Sequence, residues 1–371
     1  MIAVNAAIVG DRPTGLGRYA LSMIRELDAL GECLTVYTSC PEAVQAPGAR
    51  VERVPAAVRP ERGARGHLAR LVWTQSGLRM RLRRLRPRLL LNLMPEGLLR
   101  PAVPQVTVIH DVLPLRSPEE YPRQQHYFRH YVPAVLRQSR AVIVSSESTR
   151  RDLVDFYRLS PETLRVVLLG HDARRFTPSP PSSPPNGEPY ALFVGNVLPH
   201  KNLLRLVDAF AQAVRDIPGR LVIRGWARAT HVQALRQHID ASGLAGRVDW
   251  RAYADDDELP ELYRGARMLL LPSLYEGFGL TALEAMACGT PVIVSDRSSL
   301  PEVVGDAALV VDPEDPAALA FAIHRLFTED ALAKTHCALG LRRARLFSWH
   351  KTAGAVQSIL HEVMDGPNRR K

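Results

Sequence analysis

The sequence predicts an α/β protein with two doubly wound domains, each a parallel sheet covered by helices on both faces. Short, uninterrupted apolar runs alternate with helical patterns along the chain, which is typical of parallel strands buried on both faces. These runs fall into two series, separated by a proline- and serine-rich segment at 177–189 that has the composition of a semi-rigid linker. The length of 371 residues is sufficient for two domains of ordinary size.

The predicted strands define the proposed domain limits. The first series lies at 2–9, 34–38, 89–93, 106–109 and 141–144. The second series lies at 190–194, 221–224, 248–251, 268–271, 291–294 and 308–311. We therefore predict an N-terminal domain at 1–176, a C-terminal domain at 190–350, and a final helix at 351–371 that could cross back to the N-terminal domain. Since doubly wound sheets bind ligands at the carboxyl ends of their strands, two facing sheets would form a ligand-binding cleft.

Composition narrows the class of protein and its partners. The net charge of +10 indicates an anionic partner: nucleic acid, a membrane surface or a phosphorylated ligand. Four scattered cysteines favour neither a disulfide framework nor a zinc site, and a reduced cytosolic location fits them best. The first residues lack the pattern of a signal peptide, and no apolar run approaches the roughly 20 residues that span a bilayer. We therefore expect a cytoplasmic protein that could meet a membrane only at its surface.

A glycine-rich stretch carries the most specific chemistry. In "SLYEGFGLTALEAMA", Glu276 lies in a loop after a predicted strand, and Glu284 lies in the following helix. Gly277 and Gly279 allow backbone N–H groups to approach a ligand, and the helix start suits phosphate. Glu284 would lie roughly 7 Å along the helix axis, within reach of a ribose on the same ligand. Glu276 would face the group beyond the phosphates. The spacing therefore fits a ligand with a polyol at each end and phosphate between.

Several stretches together resemble one enzyme family. "PSLYEGFGLTALEAMACGTPVIVSDRSSLPEVVGDAALVVDPED" resembles the donor-binding signature of the large retaining glycosyltransferase family known as family 4 or group 1, with E-x7-E as its hallmark. "FVGNVLPHKNLLRLVDAF", "VDWRAYADDDELPELYRGARMLLLPS", "GLGRYALSMIREL" and "VIHDVLPL" also match. The resemblance covers nearly the whole chain and implies a GT-B fold, with two Rossmann-like domains facing across a cleft.

The resemblance assigns roles to individual residues. Lys201 would neutralise the donor diphosphate, and Glu276 would contact the transferred sugar. The family often has arginine where Asn196 and His200 stand here, so the phosphate site carries less fixed charge. The base would be selected largely through backbone groups around Trp226 and 252–254. The predicted donor-binding residues are Gly15, Gly17, Arg18, Asn196, Tyr253, Gly277, Phe278, Gly279, Leu280, Thr281 and Glu284.

Two N-terminal motifs have competing interpretations. Gly15, Gly17 and Ala20 fit a loose G-x-G-x-x-A pattern, which could indicate a nicotinamide-binding fold, but the expected acidic ribose ligand is absent. Under the resemblance, this glycine turn would approach the donor phosphates or sugar. His110 follows a predicted strand, at the ligand edge of its sheet, and is followed by Asp111. The resemblance places it near the donor sugar, as the third predicted catalytic residue with Lys201 and Glu276.

An arginine-rich segment at 59–88 predicts a surface for an anionic partner. Its clustered arginines are Arg79, Arg81, Arg83, Arg84, Arg86 and Arg88. Leu78, Met80, Leu82 and Leu85 lie among them, and a basic amphipathic helix is typical of membrane-surface binding. A solvated basic face is the alternative interpretation. Nucleic acid is not expected, because no recognised nucleic-acid-binding motif occurs.

The resemblance also implies a reaction. We expect a retaining hexosyltransferase that uses a nucleotide-diphosphate sugar and a glycan or polyprenyl-linked acceptor in bacterial surface polysaccharide synthesis. Mannose or a deoxyhexose on GDP is favoured, because the motifs resemble those of mannosyl- and rhamnosyltransferases. No cofactor and no essential metal are expected, since no D-x-D motif follows a strand of the first domain. The alternatives are a nucleotide-sugar epimerase or hydrolase of the same fold, an oxidoreductase, and a basic protein that binds nucleic acid or membranes without catalysis.

Overall fold

The computed structural model describes residues 1–11, 13–179, 188–252 and 258–366. The chain divides into two compact units: residues 1–169 together with the C-terminal residues from 349, and residues 170–348. Residues 170–176 therefore group with the second unit, although the sequence placed them in the first domain. Tyr253 and most of the predicted linker at 177–189 lie outside the described residues.

The first unit contains a parallel sheet of seven strands. The strands are β1 (Ile2–Asn5), β2 (Leu34–Thr38), β3 (Arg50–Arg53), β4 (Leu89–Asn92), β5 (Gln105–Ile109), β6 (Ala141–Val144) and β7 (Leu164–Val166). Their order is β3-β2-β1-β4-β5-β6-β7, and every neighbouring pair is parallel. The order reverses between β1 and β4, which is the switch point where doubly wound sheets bind ligands.

Helices cover both faces of this sheet. They are α1 (Gly15–Ala29), α2 (Gly63–Trp73), α3 (Arg79–Leu85), α4 (Leu113–Arg116), α5 (Gln124–His126), α6 (Val132–Arg137) and α7 (Glu147–Tyr157). Two π-helical turns, Thr74–Leu78 and Tyr127–Tyr131, join α2 to α3 and α5 to α6. All four residues of β1, β4 and β6 are buried, which explains why these strands are apolar except for the asparagine that ends β1 and β4.

The second unit contains a parallel sheet of six strands. They are β8 (Tyr190–Val194), β9 (Arg220–Arg224), β10 (Val248–Arg251), β11 (Met268–Leu271), β12 (Val292–Ser295) and β13 (Leu309–Val311), in the order β10-β9-β8-β11-β12-β13. Its helices are α8 (Leu203–Ala213), α9 (Ala229–Ala241), α10 (Leu259–Gly265), α11 (Leu280–Ala287), α12 (Leu300–Val304), α13 (Pro316–Thr328) and α14 (Asp330–Ala344). The predicted pair of doubly wound domains is therefore confirmed.

The last helix, α15 (Trp349–Asp365), belongs to the first unit. The Trp349 ring packs edge-on against Tyr19 of α1, with ring centroids 6.0 Å apart. The Thr352 hydroxyl donates to the Leu168 carbonyl, and the Gln357 amide donates to Glu32. Within the described part of the chain, no helix is long and apolar enough to cross a bilayer.

The strand predictions differ from the structure in three places. The predicted strand at 2–9 ends at Asn5, because the chain then turns and the Val9 N–H donates to the Ala6 carbonyl. Strands β3 and β7 were not predicted. Both lie at sheet edges, and the charged sequence "RVER" of β3 is half exposed, so it lacks the apolar run of a central strand.

Candidate active site

The glycine-rich stretch of the second unit forms the predicted loop and helix. The loop follows β11, and α11 begins at Leu280 with Gly279 as its N-terminal cap. Gly279 has a φ of +104°, and a Cβ at this position would lie 2.6 Å from Leu300 Cδ2. Glycine is therefore required here by both conformation and space. The first turn of α11 supplies the free N–H groups and positive dipole end that suit a phosphate.

Lys201 and Glu276 form an ion pair at this loop. Lys201 Nζ lies 2.5 Å from Glu276 Oε1, and the two side chains are only 17% and 13% exposed. The Ser273 hydroxyl also donates to Glu276 Oε1, at 2.8 Å. The Glu276 N–H donates to Ser298 Oγ, at 2.8 Å. Lys201 and Ser273 thus hold the carboxylate through Oε1, and Ser298 holds the Glu276 backbone. The Lys201 ammonium and the Glu276 carboxylate are in direct contact rather than at opposite ends of a ligand site.

The loop that carries Lys201 is tied to the loop that carries Glu276. Asn202 adopts a left-handed conformation with φ +61° at the N-cap position of α8, and its side chain makes no capping hydrogen bond to the helix. Its side-chain amide donates to the carbonyls of Pro272 and Pro313, at 3.2 and 2.7 Å. The Leu274 N–H donates to the His200 carbonyl, at 2.7 Å. Sequence reasoning did not identify Asn202, although an asparagine directly before an amphipathic helix is a signal for a helix cap.

Glu284 lies on α11, where the predicted ribose contact would be. The Tyr263 hydroxyl donates to Glu284 Oε2, at 2.9 Å. Burial, assisted by the Glu284 charge, raises the pKa of Tyr263 well above its usual value, so this phenol stays protonated and remains a donor. The side chain of Glu284 is half buried. Tyr263 is therefore a supporting residue that the sequence did not reveal, because it lies on α10, 21 positions away.

The remaining predicted donor-binding residues of the second unit differ in how far they are exposed and in whether a ligand could contact their side chains. Asn196 is exposed in the turn after β8, while Gly277, Leu280 and Thr281 are half buried. The Phe278 side chain is buried and packs edge-on against Phe347, with ring centroids 6.2 Å apart. Phe278 can therefore meet a ligand through its backbone only.

His110 follows β5 in the first unit, at the carboxyl edge of the sheet. Its ring packs edge-on against Tyr19 at 4.4 Å, and Ser145 and Thr149 both donate to its carbonyl at 3.0 Å. Burial lowers the pKa of His110 to about 4, so the imidazole is neutral at physiological pH. Its Nε2 is buried and has no hydrogen-bond partner within the described ranges. Such an atom needs a partner, which a bound ligand or water would supply.

Gly15 and Gly17 do not form the predicted turn. Both lie in the first turn of α1, which begins at Gly15, and Arg18 follows in the same turn. A Cβ on Gly17 would lie 3.0 Å from Pro13 Cβ, so a small residue is favoured where the chain enters the helix. Thr14, the N-terminal cap, makes no side-chain hydrogen bond to the helix. The glycines thus form a helix start, not a turn, at the carboxyl edge of β1.

One group of side chains has the geometry of a metal site. Asp11, Cys40 and Glu42 lie close enough for ligand atoms to share an ion. However, Asp11 already pairs with Arg59 at 2.7 Å, and Glu42 pairs with Arg53 at 3.2 Å. These carboxylates are neutralised by arginine, so the group does not resemble a dedicated cation site.

The arginine-rich segment is helical, but part of its apolar side faces the core. Leu78 and Leu82 are fully buried in the first unit, so they cannot enter a membrane as predicted. Leu68, Val72 and Met80 are instead 62%, 60% and 50% exposed. Leu68 and Val72 are about one turn apart on α2, and Met80 lies on α3, beyond the π turn. The exposed apolar stripe of this segment therefore consists of Leu68, Val72 and Met80.

Some of the clustered arginines have acidic partners from distant parts of the chain. Arg81 Nε lies 3.7 Å from Glu52 on β3. Arg88 pairs with Asp365 at the end of α15, at 3.0 Å. Arg83 and Arg84 are exposed at the end of α3, beyond Met80. The local sequence lacks acids, but the fold supplies two.

Comparison with known families agrees with this architecture. The chain matches the family described as "Glycosyltransferase Family 4" over residues 13–175, and the family described as "Glycosyl transferases group 1" over residues 176–337. The chain belongs to the family 4, or group 1, glycosyltransferases, as its motifs predicted.

Two curated relatives illustrate this membership. O-antigen chain mannosyltransferase B from Escherichia coli is 32% identical over 254 residues, which are 66% of this chain and 66% of the relative. D-inositol 3-phosphate glycosyltransferase from Xylanimonas cellulosilytica is 33% identical over 244 residues, which are 61% of this chain and 57% of the relative. The matches therefore span less than two thirds of the length of these relatives.

Solved structures share the complete fold. Sucrose-phosphate synthase from Thermosynechococcus elongatus has a TM-score of 0.81 at 22% identity, over 99% of both chains. HepE from Anabaena, in complex with UDP and glucose, has a TM-score of 0.75 at 19% identity, over 98% of this chain and 100% of that chain. Identities this low show the fold alone, which is the predicted GT-B architecture.

Proposed function

We propose that this protein is a retaining glycosyltransferase whose second unit binds a nucleotide-diphosphate sugar. One observation carries the proposal: Lys201, from the loop before α8, pairs with Glu276 on the glycine loop, which leads directly into the start of α11 and so to Glu284. This order supplies a cation and amide groups for a diphosphate, with a carboxylate for a hydroxylated group on either side. Family membership supports the same activity.

Each residue then has a defined role in the reaction. The Glu284 carboxylate accepts hydrogen bonds from the ribose. The amides at the start of α11, together with Lys201, hold the diphosphate. Glu276 shares Lys201 with the phosphate and accepts from a hydroxyl of the transferred sugar. A neutral imidazole with a free Nε2, such as that of His110, can accept from a sugar hydroxyl in the same way.

The proposed chemistry retains the anomeric configuration. The bond between the anomeric carbon and the leaving phosphate oxygen breaks, and the acceptor oxygen bonds to that carbon on the same face. The acceptor hydroxyl proton passes to the leaving phosphate oxygen. Lys201 stabilises the negative charge that develops on that phosphate, and this interaction strengthens in the transition state. Because the ammonium and helix amides supply this stabilisation, the proposal includes no metal.

The favoured donor is GDP-mannose or a related GDP-deoxysugar, and the favoured acceptor is a glycan or polyprenyl-linked glycan. The E. coli relative named as an O-antigen chain mannosyltransferase supports this choice. The glucose-containing HepE complex supports the general class of ligand, a nucleotide with a sugar, and makes UDP the principal competitor to test.

A peripheral position at the inner face of the cell membrane completes the proposal. The exposed stripe of Leu68, Val72 and Met80 could enter a headgroup region, while Arg83 and Arg84 attract an anionic leaflet. Changing Arg83 and Arg84 to glutamate should abolish cosedimentation with vesicles that contain anionic lipid.

The matched control for this experiment changes two exposed arginines of the second unit. The variant Arg215→Glu/Arg236→Glu alters the net charge equally, and it should still pellet with the vesicles. Equal loss in both variants would indicate that net charge alone, rather than this helical face, controls binding. Unchanged binding in the first variant would refute membrane docking through this face.

A thermal-shift screen of GDP, UDP, ADP and dTDP tests the donor site directly. A ligand that binds only the folded protein stabilises it by about 2.7 kcal/mol at a concentration 100 times its Kd. We expect GDP to raise the Tm most. A larger shift with UDP would indicate uracil rather than guanine as the donor base and would still support the proposed donor site. No shift with any nucleotide would refute the proposed function.

A further inference from the structure

A buried polar group formed by Glu96 and Arg70 lies at the switch point of the first sheet, and neither residue belongs to the predicted catalytic or donor-binding sites. Glu96 follows β4, and its carbonyl accepts from the Asn5 side chain at the end of β1, at 3.2 Å. Arg70 of α2 donates through Nε to both carboxylate oxygens of Glu96, at 3.0 and 2.8 Å. Glu96 and Arg70 are each 5% exposed. The group therefore sits between the two strands where a doubly wound sheet opens to ligand.

His67 extends this group toward solvent. Its Nδ1 lies 2.9 Å from Glu96 Oε1, and its side chain is 32% exposed. Burial alone would raise the pKa of Glu96, but the hydrogen bond to His67 and the charge of Arg70 hold the pKa below its usual value. An ionised carboxylate only accepts hydrogen bonds, so His67 Nδ1 must carry the proton. In the tautomer with its proton on Nδ1, His67 presents Nε2 as an acceptor, and within the described part of the chain no side chain or backbone group donates to it.

The surroundings of His67 include one buried polar atom without a partner among the described residues. The Tyr127 ring packs edge-on against His67 at 4.7 Å, and its buried hydroxyl has no partner among the described residues. The loop after Glu96 is fastened by Gln75 and Tyr131, which both donate to the Gly97 carbonyl, at 2.9 and 2.8 Å. An unpaired buried polar atom such as the Tyr127 hydroxyl calls for an explanation, and a hydrogen-bonded frame around His67 is what a binding site requires.

We propose that His67 Nε2, oriented by Glu96, accepts a hydrogen bond from a hydroxyl of the acceptor glycan. The inference rests on the proposed glycosyltransferase function and defines a subsite for its acceptor. The charges of Glu96 and Arg70 cancel, so the subsite suits a neutral hydroxyl rather than a phosphate. His67 contacts the ligand, whereas Glu96 and Arg70 are positioning residues that fix its tautomer and ring orientation.

The sharpest variant is His67→Asn. The asparagine Nδ2 can replace histidine Nδ1 as the donor to Glu96, so the buried ion pair keeps its partner while Nε2 is deleted. His130→Asn is the matched control, because His130 is an exposed histidine of the same unit. The probe acceptor is octyl α-D-mannopyranoside, with GDP-mannose as donor. Donor hydrolysis without acceptor is measured in parallel.

We expect His67→Asn to raise the KM for the mannoside about 5- to 10-fold, as for one lost hydrogen bond, with little effect on hydrolysis. His130→Asn should match the wild type in both assays. An unchanged mannoside KM in His67→Asn would overturn the proposal. The subsite proposal would also be overturned if the wild type bound GDP but neither bound nor used the mannoside. The proposed glycosyltransferase function would stand in that case.

Nitrogen-15 spectra of the histidine rings provide a readout that requires no donor. The chain has 12 histidines, and the His67 signal is identified by its loss in His67→Asn. We expect this signal to report the tautomer protonated at Nδ1, and to shift when the mannoside is added. Failure of every nucleotide to bind would refute the proposed function alone. A His67 signal that does not move at saturating mannoside would refute the subsite.

Discussion

Replacing Lys201 by methionine should reveal how strongly the Lys201–Glu276 pair supports the second unit. The Nζ–Oε1 distance of 2.5 Å and the low exposure of both side chains place the pair between surface and buried ion pairs. Surface pairs contribute about 0–1 kcal/mol, whereas breaking a buried pair costs about 3–5 kcal/mol. We therefore expect Lys201→Met to lower the free energy of unfolding by about 1–3 kcal/mol. For a unit of this size, each kcal/mol lowers the Tm by about 2–4 °C.

A double-mutant cycle isolates the pair from other effects. Glu276→Gln should cost a similar amount, since Ser273 retains an oxygen acceptor but Lys201 loses its counter-charge. The double variant should be less destabilised than the sum of the single variants, by about 1–2 kcal/mol. Scanning calorimetry of the three variants and the wild type measures this coupling. Effects that add to within about 0.5 kcal/mol would refute the ion pair.

Three further predictions concern Glu284, His110 and the independence of the reaction from metal ions. Glu284→Gln should weaken nucleoside diphosphate binding by about 1.5–3 kcal/mol in calorimetric titration, because charge-assisted hydrogen bonds to ribose are lost; equal affinities would contradict the ribose role. Because the pKa of His110 is lowered to about 4, the folded protein binds fewer protons than the unfolded chain between about pH 6.5 and 4. The free energy of unfolding should therefore decrease as the pH drops through this window, by up to about 3 kcal/mol. His110→Asn should flatten this dependence, and an unchanged profile would contradict the assignment. Donor turnover should persist in EDTA, and loss that Mg²⁺ or Mn²⁺ restores would contradict a metal-free reaction.

Local patterns were sufficient to predict the central strands and the glycine loop. Strands such as β6 and β11 are apolar throughout because both faces of each sheet are covered, and this information is contained in four or five consecutive residues. The start of α11 was also predictable, because its signal lies in adjacent residues. Gly279, which requires a left-handed conformation, directly precedes a run of helix-forming residues.

Contacts between distant residues were not predictable from single motifs. Lys201 and Glu276 are 75 positions apart, and hydrogen bonds of the Asn202 side chain and the His200 backbone join their loops. His67 and Glu96 are 29 positions apart. Sequence spacing shows which residues share one helix face or one strand edge. It does not show which loops meet after the sheet has assembled.

The arginine-rich segment shows that sequence alone does not reveal which apolar residues of a helix become buried. Its sequence shows apolar and basic residues alternating, but not which apolar residues the neighbouring strands cover. Leu78 and Leu82 pack into the core, while Leu68 and Met80 remain exposed on the same continuous helical stretch. Hydrophobicity alone assigns all four to one surface. The π turn at Thr74–Leu78 changes the helical phase between α2 and α3, which a regular 3.6-residue pattern does not anticipate.

The most direct test of the central claim is the stereochemistry of transfer. The wild type is incubated with octyl α-D-mannopyranoside and the sugar donor of whichever nucleotide stabilises it most, and proton NMR follows the anomeric signals. We predict that an α-configured donor yields an α-glycoside in step with release of the nucleoside diphosphate, and that Glu284→Gln slows this reaction. A β-configured product, or donor consumption that is the same in wild type and Glu284→Gln, would contradict a retaining glycosyltransferase with its donor site on this loop and helix.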